Sequence, residues 1–156
     1  MSKPSNGLII RNVTRADYEQ WLPLWDGYNA FYERVGPTAL PIEITRQTWA
    51  RFFDDAVPMH ALVAESNGRL VGLTHFLFHL STTSMGQVCY LQDLFTNQET
   101  RGKGVGRALI NGVYDKAKRA GAPRVYWLTR EANVVAQALY NSMAERPAVY
   151  IYRHDL

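Results

Sequence analysis

Residues Arg101-Gly102-Lys103-Gly104-Val105-Gly106-Arg107 set three glycines among three basic side chains, immediately before a stretch with helical periodicity. The first turn of a helix carries N–H groups without intrahelical partners and a partial positive charge. Glycine lets such amides turn toward a ligand and lets the ligand approach the backbone closely. With Arg101, Lys103 and Arg107 adding full charges, the stretch suits an anion, and a pyrophosphate best. A dinucleotide fold would need G-x-G-x-x-G and an acid after the next strand. Here the spacing is G-x-G-x-G, and Arg130 follows "RVYWLT". A Walker loop, G-x-x-x-x-G-K-[ST], is absent. On this loop alone, a basic solvent turn is an equal alternative.

Other residues able to do chemistry are spread along the chain. Asn133 and Tyr140 are seven apart, two helical turns, and share a helix face. Tyr140 also fits as a core-facing aromatic. Gln92 and Asp93 are adjacent in an apolar run that reads as a strand, so they point to opposite faces unless a bulge re-aims one. Asp93 is ionisable and is either a working carboxylate or a structural hydrogen-bond acceptor. His75 and His79 lie on one strand, as part of a proton route or as sheet histidines bonded to neighbours. No metal site is expected. The four histidines, at 60, 75, 79 and 154, form no H-E-x-x-H pattern, and the single Cys89 reads as a small buried apolar residue.

The elements that must position these groups follow from patterning. With 156 residues the chain fits one domain, residues 1–156, with a real core. A first strand is expected over 8–13. Residues 15–34 place Tyr18, Trp21, Trp25, Tyr28 and Tyr32 on one helical face, with Pro23 suggesting a break or kink. A second helix is expected over 45–53. Strands over 59–66 and 69–80 flank Asn67-Gly68, a type I′ hairpin signal, and a third long strand covers 87–96. A helix over 104–120 stops at Gly121 and Pro123. A strand over 124–129, a helix over 133–144 and a last strand over 148–154 complete the order β-α-α-β-β-β-α-β-α-β, an α/β arrangement around a mixed sheet.

A net charge of +3 allows an anionic ligand but does not argue for nucleic acid, and no nucleic-acid partner is expected. No apolar run is long enough to span a bilayer, so no membrane association is expected. The polar start "MSKPSNG" lacks the apolar region of a signal peptide, and the expected location is cytoplasmic.

At this point the sequence resembles a known family. Arg101 to Gly106 matches the R/Q-x-x-G-x-G/A acetyl-CoA signature of the GCN5-related N-acetyltransferases. The strand "LQDLFT" before it, and the strand "VYWLT" and the helix with Asn133 and Tyr140 after it, fall in that family's order. The resemblance is good over about residues 59–154 and looser over the first helices. "YLQDLF" followed by "RGKGVG" is most similar to the small-amine branch, the spermidine/spermine and Hpa2-type enzymes, which act on polyamines, histones or D-amino acids. It implies a mostly antiparallel sheet with a splayed parallel pair, 87–96 beside 124–129, and acetyl-CoA as co-substrate in the gap.

The resemblance also implies roles. Backbone groups of Arg101, Gly102, Lys103, Gly104, Val105 and Gly106, beside Arg107, would hold the pyrophosphate. Leu94, Phe95 and Thr96 would pair with the pantetheine arm, an amide near Leu94 would polarise the acetyl carbonyl, and Asn133 would bond the cofactor arm. Tyr140 would protonate the leaving thiolate. Polyamine enzymes of this branch carry Glu at the position of Gln92, which cannot accept a proton, so Asp93 is the candidate for binding the amine or acting as a base through water. Tyr28, Tyr32 and Glu33, with Gln92, would wall the acceptor pocket and receive an ammonium by cation–π attraction and charge. The expected reaction is direct attack of a primary amine in a ternary complex. A small amine, polyamine or amino acid is favoured over a protein lysine. An acyl-CoA-binding module without catalysis is the rival, and a homodimer is expected from the apolar last strand near a sheet edge.

Overall fold

The computed structural model describes residues 7–156; the reading of the polar start falls mostly outside the described residues. Strands β1 (Leu8–Asn12), β2 (Met59–Ser66), β3 (Arg69–His79), β4 (Val88–Thr96) and β5 (Val125–Tyr126) form one sheet in the order β1-β2-β3-β4-β5. Neighbours are antiparallel as far as β4, and β5 runs parallel to β4. Helices α1 (Tyr18–Phe31), α2 (Ile42–Arg51), α3 (Val105–Arg119) and α4 (Val134–Asn141) flank it. The expected α/β class and the splayed parallel pair are therefore present. Asn67 and Gly68, both at positive φ (51° and 75°), close the β2–β3 hairpin as a type I′ turn requires.

Two apolar clusters fix the helices on opposite faces. On one face Trp21, Trp25 and Tyr28 of α1 pack on Val63, Leu70 and Leu73. On the other, Val105, Leu109, Ile110, Val113 and Ala117 of α3 pack on Leu62, Phe76, Cys89 and Leu91. The aromatic stripe read from the sequence is thus mostly core. Cys89 is fully buried, and burial pushes its thiol up to about 12, so it behaves as the small apolar residue expected. No helix among the described residues is long and apolar enough to cross a membrane.

Three elements depart from expectation. Of the break or kink expected at Pro23, the break is absent: α1 runs on through it. Strand β5 is two residues long rather than six, because β4 is the only strand it pairs with and the two splay after Tyr90–Tyr126. The expected strand over 148–154 does not form: the segment has no ladder, and Val149, Tyr150, Ile151 and Tyr152 are exposed. Its apolar, β-branched and aromatic residues favour an extended chain, but a strand also needs a neighbour to take its hydrogen bonds, and among the described residues no strand lies alongside it.

Candidate active site

The site is organised by an irregularity in β4. Opposite β3, the register pairs His75 with Asp93 and then Phe76 with Leu91, leaving Gln92 as the extra residue of a bulge. Without the bulge, Asp93 would share the face of Cys89 and Leu91, under α3. With it, Tyr90, Gln92 and Asp93 all line one cavity on the α1 side. Past Tyr90, the outer edge of β4 has no strand beside it among the described residues. That is where Leu94, Phe95 and Thr96 lie.

On the far side of this edge is a groove of about 620 Å³. Leu94, Phe95, Thr96, Arg101, Gly102, Gly104, Val105, Gly106, Arg107, Asn133 and Tyr140 line it, together with Thr100 and Phe31, which the sequence did not single out. Lys103 is exposed and outside the lining. Gly102 and Gly104 stand at φ 78° and 81°, with open space where a side chain would project. Gly104 caps α3, whose first intrahelical bond is Ala108 N–H to Gly104. The amides of Val105, Gly106 and Arg107 therefore precede the first helical bond, with no acidic side chain in that turn. These amides and the basic side chains of Arg101 and Arg107 all border the groove, an arrangement that suits an anion. Asn133 caps α4 and donates to Thr129 Oγ1 at 3.2 Å, which leaves its side-chain oxygen for a ligand.

Tyr140 lies in the same groove, half-buried against Trp127 and with its hydroxyl bonded to nothing among the described residues. Burial, and then the neighbouring Tyr32, push its phenol up to about 12. It is protonated throughout the neutral range.

A second cavity, about 770 Å³, lies on the other side of the β4 edge. Tyr28, Tyr32, Gln92 and Asp93 line it as expected; Glu33 is exposed in the turn after α1, outside it. Tyr32 is the one residue that lines both cavities. Tyr28 is buried, and its phenol is pushed up, first by burial and then by the Asp93 carboxylate beside it. The tyrosine rings do not wait for an ammonium. Arg34 already lies over Tyr28 at 5.5 Å and over Tyr32 at 5.3 Å, and Arg130 lies over Tyr32 at 4.7 Å.

Arginines are what the sequence reading missed. Arg34, Arg51, Arg130 and Arg153 line this second cavity, and Asp93 is the only carboxylate among the described residues that does. Arg34 is held by Asn29 Oδ1 at 2.7 Å, and Arg153 pairs with the exposed Asp155. Arg51 and Arg130 are in no ion pair among the described residues. These four come from helix ends, a loop and the terminal segment, so no spacing in the sequence announces them. His75 and His79 do not act together: His75 is buried beside Asp93, whereas His79 Nε2 meets the Tyr126 hydroxyl at 2.8 Å.

Comparisons with known proteins agree with this geometry. The model of the acetyltransferase (GNAT) family matches residues 21–144. The D-amino-acid N-acetyltransferase HPA3 of Saccharomyces cerevisiae is 34% identical over 150 residues, 95% of this chain and 91% of that protein. An uncharacterized N-acetyltransferase of Bacillus subtilis, YhfO, is 29% identical over 134 residues, 84% of this chain and 85% of its own. Among solved structures, an aminoglycoside acetyltransferase from an uncultured soil metagenomic sample superposes with a TM-score of 0.79 at 19% identity, covering 97% of this chain and 99% of that one. Aminoglycoside N-acetyltransferase AAC(6')-Iy, solved with CoA, superposes at 0.78 with 17% identity, covering 100% and 99%. At these identities the structures speak for the fold.

Proposed function

The chain belongs to the acetyltransferase (GNAT) family and is an acetyl-CoA-dependent N-acetyltransferase; on that premise we propose that its acceptor is a free amino acid, acetylated on its α-amino group by direct attack in a ternary complex. The observation that carries this reading is the charge of the acceptor-side cavity. One carboxylate, Asp93, shares the cavity with four arginines, of which Arg153 is already paired with Asp155. A ligand with one ammonium and one carboxylate matches that balance. A polyamine or aminoglycoside would bring several positive charges to a wall that is already positive. The yeast relative acts on D-amino acids, and we extend that configuration to this chain.

Acetyl-CoA supplies an acetyl thioester. The anion seat at the start of α3 suits its pyrophosphate, and the free edge of β4 suits its pantetheine arm. An amide near Leu94 would receive the charge that develops on the acetyl oxygen. Asp93 would bind the acceptor ammonium and take its proton, directly or through water, since only the neutral amine attacks. The new bond is N–C and the broken bond is C–S. Tyr140, in the groove that shares Tyr32 with the acceptor-side cavity, would meet the departing sulfur. A thiol titrates at about 8.5, well below the phenol, so outright proton loss from Tyr140 is uphill. Its O–H instead would stabilise the departing thiolate by hydrogen bonding; the amine's proton passes to Asp93 and on to solvent, and the released thiolate takes its proton from water.

The test is thiol release with a panel of D- and L-amino acids, spermidine and an aminoglycoside. The highest kcat/KM is expected with an amino acid, D over L. A preference for spermidine or the aminoglycoside would remove the amino-acid reading. Acetyl-CoA binding with no thiol release for any amine would establish the silent module instead.

We also propose a homodimer, because the exposed apolar side chains of Val149 to Tyr152 lack any cover within the chain. Light scattering on the eluted protein reads this directly; a monomer mass at micromolar concentration would exclude it.

A further inference from the structure

His75 is 3% exposed, and both of its ring nitrogens are engaged. Trp21 Nε1–H donates to Nε2 at 3.0 Å, and Nδ1 lies 2.9 Å from Asp93 Oδ2. An indole N–H can only donate. Nε2 must therefore be the accepting, unprotonated nitrogen. The ring proton is then on Nδ1, and it is donated to the Asp93 carboxylate. The ring plane is fixed by Trp25 and Phe52, with centroids at 5.2 and 4.7 Å.

We propose that His75 is a positioning residue for acetyl transfer: Trp21 locks its tautomer, and the locked Nδ1–H aims the Asp93 carboxylate at the acceptor amine. The proposal rests on Asp93 as the group that receives the amine. Three features carry it. The line of polar groups runs from the core and ends at the acceptor cavity, which Asp93 lines. Each of its bonds crosses between elements, from α1 to β3 and from β3 to β4, so it is built by tertiary packing rather than by local chain geometry. The bulge at Gln92 brings Asp93 onto the face where His75 stands. A core that needed only filling would place apolar side chains at 21 and 75 without burying donors that must then be matched. With Nε2 occupied, His75 does not itself take the proton from the amine. It holds one carboxylate oxygen, and a carboxylate has further lone pairs for the ammonium and for Tyr28.

Long-range proton–nitrogen correlation of the protein labelled at histidine nitrogen tests the tautomer, with His75→Asn identifying the signal. The expected spectrum shows Nδ1 protonated and Nε2 bare at neutral pH, and Trp21→Phe abolishes that pattern. A His75 signal with the proton on Nε2, or on both nitrogens, overturns the proposal. Kinetics test its consequence. Leu at 75 fills the core but cannot donate, whereas the Asn amide nitrogen falls close to where Nδ1 was. His75→Leu is expected to lower kcat/KM for the amine roughly tenfold or more, with KM for acetyl-CoA unchanged. His75→Asn is expected to recover most of that loss despite a lower Tm. The opposite order, Leu active and Asn poor, would make His75 a packing residue and overturn the proposal. These variants are compared on whichever amine the wild type prefers, so an error in the amino-acid reading shows separately, as a different preferred amine.

Discussion

Asp93 on β4 stands opposite His75 on β3, with Oδ2 2.9 Å from Nδ1, because the strand register passes over Gln92. Asp93 is 8% exposed, yet it lines the cavity proposed to take the acceptor. Asp93→Asn keeps the shape and removes the charge. It is expected to lower kcat/KM for the amine by about 100-fold, within the range of general-base contributions, while acetyl-CoA affinity measured by calorimetry is unchanged. Retained turnover would exclude Asp93 as the amine's carboxylate.

Tyr140 is aimed at the groove with a free hydroxyl and a phenol held at about 12. Tyr140→Phe is expected to lower kcat by about 100-fold with little change in KM for acetyl-CoA. An unchanged kcat would leave the ring as packing against Trp127 and nothing more.

The proposed anion seat depends on backbone that glycine adopts without strain. Gly104, at φ 81°, caps α3, and a side chain there would meet no neighbour. Gly104→Val therefore tests conformation rather than crowding. A β-branched residue at positive φ costs about 1–3 kcal/mol, so acetyl-CoA affinity should fall by roughly 10- to 100-fold, with the amine KM little affected. Equal weakening of both substrates would point to a general loss of fold.

Acceptor choice should follow cavity charge. Gln92 lines the cavity and is neutral, so Gln92→Glu adds a second carboxylate against the four arginines. The variant is expected to gain on spermidine and lose on amino acids. Arg130→Ala, which removes an unpaired guanidinium over Tyr32, should also weaken amino-acid binding. If the ratio of the two rates is unmoved by either change, the arginines do not select the acceptor.

Away from the site, Arg11 reaches Asp17 through two nitrogens, at 2.8 and 2.9 Å, and Glu65 through a third. The hydrogen bond from Arg11 holds the largely buried Asp17 carboxylate down to about 2, from an ordinary 3.8. A depressed carboxylate stabilises the fold above its unfolded value and loses that contribution as pH falls through the folded one. Stability should therefore drop by about 2 kcal/mol between pH 4 and 2, beyond what other carboxylates contribute. Urea midpoints for wild type and Asp17→Asn should converge across that window. A gap that stays constant from pH 5 to 2 would assign the loss to something else.

Much of the machinery was legible in the primary structure, for a physical reason. Features that depend on neighbouring residues along the chain leave a local signature. The Asn67-Gly68 turn, the glycine-bearing entry to α3 and the two-turn spacing of Asn133 and Tyr140 are of that kind, and each stands where the sequence placed it. The resemblance to acetyltransferases rested on the same local blocks. The sequence also presented Asp93 as one of two adjacent candidates, without saying which face it would take.

Tertiary structure decided the rest, because it turned on partners far away in the chain. The bulge that puts Gln92 and Asp93 on one face is a relation between β3 and β4, not a property of either. The arginines of the acceptor cavity come from segments up to 119 positions apart, Arg34 and Arg153, which share no period. Trp21 and Asp93 meet only across His75, through packing of α1 on the sheet. The segment 148–154 shows the converse. Its residues favour a strand, yet extended chain becomes a strand only when another strand lies alongside, and among the described residues none does.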